Sequence, residues 1–144
     1  MSKETHSSHH HSGLARTLLF IVFLILCAGN FALWKFSLPH GKPNSVFPAM
    51  PGLVVGSALA STAMIGAIWF RQGLARTALI VFLWIVMFAF SMPGLIMMSD
   101  RAILQTDALK LLGAGLVCYL VANIVLISAP SIHRLGMSRG CGGR

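Results

Sequence analysis

Acidic side chains are nearly missing from this sequence: three among 144 residues, against eleven lysines and arginines. The three are Glu4, Asp100 and Asp107. Asp, Glu, His, Lys and Arg are also absent from four long stretches, 17–34, 43–70, 77–99 and 111–132. A proton-coupled carrier normally keeps an ionisable group near mid-membrane. A carboxylate-driven small multidrug exporter is therefore disfavoured. His40 and His133 fall at opposite ends of the apolar stretches, which excludes a haem held by paired histidines across a bundle. No Ser-His-Asp set, zinc-enzyme helix motif or phosphate loop occurs. Neither an enzyme nor a bound cofactor is expected. The three cysteines contain no C-x-x-C pair. Cys27 and Cys118 lie in apolar stretches and Cys141 in a tail, so structural disulfides are not expected.

Apolar side chains fill the place of the missing charges. Hydrophobic residues make up 56% of the chain and charged residues 10%, where a soluble domain carries about a quarter charged. Lipid is the natural solvent for that excess, and each stretch is long enough for a spanning helix of roughly 17–25 residues. The fold expected is all-α: a four-helix transmembrane bundle, up-down-up-down, with helices near 15–36, 50–70, 75–98 and 108–130 in one domain covering 13–132. Residues 1–12 read as a disordered cytoplasmic tail, and 133–144 as a flexible basic cytoplasmic tail. The apolar run of the first span exceeds the 7–15 residues typical of a secretory signal, so a retained helix is expected.

Orientation follows from lysine and arginine near the span ends. With the N-terminus inside, seven basic residues (Lys3, Arg16, Arg71, Arg76, Arg134, Arg139 and Arg144) are cytoplasmic, and four (Lys35, Lys42, Arg101 and Lys110) are outside. The bias favours N-in and C-in, and small proteins of this kind point to a bacterial cytoplasmic (inner) membrane. The formal charge of +8 sits at helix ends, where it suits the bilayer and its anionic headgroups at the cytoplasmic face. Nucleic acid is not an expected partner.

Two short strings recur. GLART opens at Gly13 and at Gly73, an offset of 60 residues that maps the first helix onto the third and the second onto the fourth, as a 2+2 duplicated hairpin would. MPGL recurs at Met50 and Met92, with Pro51 suited to a first helical turn and Pro93 expected to kink or end the third helix. The second helix is rich in small residues. Gly52, Gly56, Ala60, Ala63 and Ala67 give the spacing by which membrane helices approach closely. The expectation is that this helix sits at the bundle centre, with a homo-oligomer or a membrane-protein partner as the competing use. Ala114, Cys118 and Ala122 repeat the pattern more weakly on the fourth helix.

Trp84, Tyr119, Asn30 and Asn123 fall inside their spans and need hydrogen-bond partners within the bundle. The plain reading of the two asparagines is a bond to a neighbouring helix backbone. Soft ligands are the remaining chemistry. Cys27 and Cys118 at similar depth, several methionines, and His9, His10 and His11 of the tail form a candidate set for a soft metal ion. Against it stands the ordinary use of Cys and Met as membrane-core fillers. The function that fits best is a non-enzymatic accessory, assembly or immunity-type membrane component acting through helix contacts. The alternative is a transporter or homeostasis protein for a soft metal ion or a small neutral solute.

Overall fold

The computed structural model describes residues 5–38, 48–70, 73–99 and 106–129. Four helices account for nearly all of them: α1 (Thr5–Ser37), α2 (Met50–Trp69), α3 (Gly73–Ser99) and α4 (Thr106–Ser128), with no strand among the described residues. Apolar segments within them, Gly13–Ser37, Met50–Trp69, Leu74–Ile96 and Asp107–Ser128, are 25, 20, 23 and 22 residues long. At about 1.5 Å per residue even the shortest reaches about 30 Å, the thickness of a bilayer's hydrocarbon core. The protein is a small multi-pass membrane protein.

α1 starts at Thr5, so its backbone is helical over 5–12, where the sequence suggests a disordered tail. Nucleation is the costly step in helix formation. A span already wound in lipid extends outward at little further cost. The C-terminal tail 133–144 lies outside the described residues. Pro51 occupies the first turn of α2, where its missing N–H leaves no bond unmade. Pro93 does not end α3, which continues to Ser99. Two residues before Pro93, the Ser91 hydroxyl donates to the Met87 carbonyl at 2.7 Å.

The helices close into a ring. α1 packs on α2 and α4, and α3 packs on the same two, with α1–α4 the most extensive contact. The buried residues show why. On α1 they are Ala15, Leu19, Val22, Leu26, Gly29, Leu33 and Phe36; on α3, Leu79, Leu83, Val86, Phe90 and Pro93; on α4, Leu112, Gly115, Tyr119, Ala122, Leu126 and Ala129. These steps alternate between three and four residues, with Ser37, Gly94 and Asn123 buried beside the stripe. That 3.5-residue period is the pattern of left-handed coiled-coil packing, in which side chains of one helix enter holes of the next.

Helix α2 is not at the centre. Its buried side is Met50, Val54, Ser57, Ser61, Ile65 and Ile68. At about 100° per residue, the face of Gly52, Gly56, Ala63 and Gly66 points about 170° away from that stripe. Gly52 and Gly56 are exposed, Ala63 also, and a Cβ added at Gly52, Gly56 or Gly66 would meet nothing within 4 Å. Ala60 and Ala67 flank this face and are half-buried. The close approach inside the chain is made elsewhere. A Cβ on Gly29 of α1 would stand 2.9 Å from Cys118 Cβ, and one on Gly115 of α4 would stand 2.7 Å from Leu33 Cγ and 3.3 Å from the Gly29 carbonyl oxygen. One glycine from each helix lets the α1 and α4 backbones meet.

The two GLART arginines fasten one end of the bundle. Arg16 lies over the Trp69 ring, 5.5 Å from its centroid. Arg76 donates from Nε and Nη2 to the Leu126 carbonyl at 3.0 and 2.7 Å, and from Nη2 to the Ile127 carbonyl at 3.3 Å. Those carbonyls are among the last four of α4, which have no partner within their own helix. A cation there also meets the negative end of the helix dipole, worth about 0.3–2 kcal/mol. Arg76→Ala is therefore expected to lower stability by about 1 kcal/mol, with Arg76→Lys recovering only part because the planar fork is lost. Thermal unfolding in detergent reads this out.

Candidate functional site

Polar side chains in the described core stand on or beside the helices' inward stripes. Asn30 of α1, Ser57 of α2 and Tyr119 of α4 come together at one level. The Tyr119 hydroxyl donates to Asn30 Oδ1 at 2.7 Å. Ser57 Oγ lies 3.2 Å from the same oxygen and 3.3 Å from the Tyr119 hydroxyl. Asn30 Nδ2 donates to the Leu26 carbonyl of its own helix at 2.9 Å, and Ser57 Oγ is 2.9 Å from the Val54 carbonyl. Tyr119 is 1% exposed and Ser57 5%. In a medium without water, each polar group must find a partner in the protein. Here three side chains from three helices satisfy one another. The arrangement is a clasp, and it holds neither a nucleophile paired with a base nor a charge to move.

The asparagines thus differ from their sequence reading. Asn30 bonds across the bundle to side chains, and only its amide N–H reaches a backbone, that of α1 itself. Asn123 sits 1% exposed, with Nδ2 3.8 Å from Met87 Sδ, while its Oδ1 is buried with no partner among the described residues. Tyr119 has the in-bundle partners its position requires. Trp84 does not follow that expectation. It is 42% exposed on the outer surface and lies beside Phe88, ring centroids 6.5 Å apart.

The two cysteines of the soft-metal set stand on different faces of the bundle. Cys118 faces α1, its Cβ against Gly29. Cys27 is two residues before Gly29, a rotation of about 200° around the helix, and is exposed. His9, His10 and His11 belong to the helical start of α1, but their side chains lie outside the described ones. Among the described residues no group of three or more His, Cys, Asp or Glu is positioned to hold a metal ion.

Gly29 and Gly115 were the residues hidden from sequence reasoning. Neither has a glycine four positions away on its own helix, so the small-residue spacing that marks α2 does not mark them. The usable signal was the alternating three- and four-residue stripe, on which both fall. Compared with protein-family models, with curated proteins and with solved structures, the chain matches none.

Proposed function

We propose that the protein is a non-enzymatic membrane component, of accessory, assembly or immunity type, which works by docking the outer face of α2 against another transmembrane helix. The observation that carries this reading is the placement of Gly52, Gly56, Ala63 and Gly66. They form a small-residue face directly opposite the buried side of α2, and a Cβ added at Gly52, Gly56 or Gly66 meets nothing within 4 Å among the described residues. Small residues at this spacing permit the close backbone contact by which membrane helices associate. The core supports the same view, because its central level is closed by the Asn30, Ser57 and Tyr119 hydrogen bonds. Soft-metal transport draws less support, with Cys27 turned away from Cys118. The occupant of the α2 face is a second copy or another membrane protein.

In this reading the chain crosses the membrane up-down-up-down with both ends in the cytoplasm, in a bacterial inner membrane. Arg16 and Arg76 then stand at the cytoplasmic side near anionic headgroups. Support comes from the excess of basic residues at that side. A 2+2 duplication belongs to the same proposal. The two GLART arginines each reach the C-terminal end of the helix that follows their own, Trp69 on α2 and Leu126 on α4. Sixty residues from Gly29 and Gly115 stand Ala89 and Val55, both exposed. That loss of glycine fits the smaller α2–α3 contact. The direct test is the mass of the particle released from membranes by mild detergent. The reading expects a second polypeptide, or a second copy, bound to each 15.5 kDa chain. A single bare chain would count against it.

A further inference from the structure

The polar core has a second level beyond the Asn30 clasp, and its hydrogen bonds do not close. α1 runs against both α2 and α4: Arg16 lies beside Trp69 and Asn30 beside Ser57, while Gly29 lies beside Cys118 and Leu33 beside Gly115. α2 and α4 therefore point the same way. One turn past Ser57 is Ser61, and one turn past Tyr119 is Asn123, each step about 6 Å along its axis. Since the helices are co-directional, Ser61 and Asn123 stay level with one another, and Met87 of α3 reaches the same depth through its contact with Asn123. Ser61 is 2% exposed and Asn123 1%.

The groups at this level demand a donor. Ser61 Oγ gives its proton to the Ala58 carbonyl at 3.1 Å, which leaves the oxygen only as an acceptor. Asn123 Nδ2 faces a thioether, a weak acceptor, at 3.8 Å. Asn123 Oδ1 is buried and meets no donor among the described residues. Buried carboxamide oxygens are almost always satisfied, by protein or by a held water. The stretches 17–34, 43–70, 77–99 and 111–132 contain no Asp, Glu, His, Lys or Arg, so a charged guest at this depth would be held without a countercharge in a dry medium. We propose that the Ser61–Asn123–Met87 level is a binding site for one small neutral hydrogen-bond donor, a water-sized O–H or N–H molecule. It donates to Asn123 Oδ1, with Ser61 Oγ as the second acceptor at its level. The site is independent of what docks on the outer face of α2, since the two lie on opposite sides of that helix.

The test is water-selective nuclear magnetic resonance on the full chain in lipid nanodiscs, with asparagine side-chain amides labelled. The Asn123→Leu variant assigns the Asn123 signal by its loss. The expected result is stronger magnetisation transfer from water to the Asn123 amide protons than to those of Asn30, whose Oδ1 accepts from Tyr119 and Ser57 and whose Nδ2 donates to the Leu26 carbonyl. If ammonium chloride at constant pH leaves that transfer unchanged, the guest is water. If it suppresses the transfer and shifts the Asn123 resonance, the guest is an N–H donor; both outcomes uphold the site. Asn123 protons that receive nothing from water and do not shift with ammonium chloride would overturn the proposal.

Discussion

Gly115→Leu is expected to be among the most damaging single substitutions in the bundle. The first added carbon already stands 2.7 Å from Leu33 Cγ and Cδ2 and 3.3 Å from the Gly29 carbonyl oxygen. Leu33 can turn aside, at about 0.5–1.5 kcal/mol for an unfavourable rotamer. The Gly29 oxygen is backbone and moves only with α1. Filling a packed contact costs about 1–3 kcal/mol, and a leucine at this point separates the helices over the largest interface in the ring, so the upper end or more is expected. Gly113→Leu, on the exposed side of α4, is the matched control. Its added carbon meets nothing within 4 Å, and an exposed change of this kind stays within about 0.5 kcal/mol. Reversible unfolding of both variants in detergent micelles measures the difference. Equal losses would show that α1 and α4 do not depend on the glycine contact.

The second large effect falls on Asn30. Its Oδ1 accepts from Tyr119 and faces Ser57, so Asn30→Leu deprives two buried hydroxyls of a common acceptor. Leaving a buried donor unpaired costs about 1–3 kcal/mol. In membranes, bonds between helices average about 0.6 and reach about 1.7 kcal/mol, because the separated helices find other partners. A loss of about 1–2 kcal/mol is expected on these grounds. A double-mutant cycle with Tyr119→Phe should return a coupling of about 1 kcal/mol, since the two side chains share one bond. Additive losses would mean that the clasp is not formed in the membrane.

The number of helices was legible because charge marks the edge of a span sharply. Arg16, Lys35, Arg71, Arg76, Asp107 and Lys110 bracket apolar runs that could end nowhere else. The inward face of each helix was harder to read. In a soluble protein the buried side is apolar and the other polar, but in lipid both are apolar. On α2 the outward Leu53, Val55 and Leu59 are as hydrophobic as the inward Val54, Ile65 and Ile68. What betrays the inward face is the opposite signal: Asn30, Ser57, Ser61, Tyr119 and Asn123 turn their polar groups away from lipid. Small residues misled for a related reason. A G-x-x-x-G step says that a close approach is possible, without saying to which neighbour. The chain's own tight contact joins single glycines from different helices, a pairing that sequence spacing along one helix cannot display.

Photo-crosslinking from Leu59 tests most directly whether the outer face of α2 holds another helix. Leu59 is 68% exposed and lies at the middle of the Gly52, Gly56 and Ala63 face. Ile85 of α3, 61% exposed, serves as the comparison site. In native membranes a crosslinker at Leu59 should capture a polypeptide, one at Ile85 should capture lipid, and the Gly52→Leu, Gly56→Leu pair should abolish the first adduct. Lipid adducts alone from Leu59, matching those from Ile85, would contradict the claim that this face holds another helix.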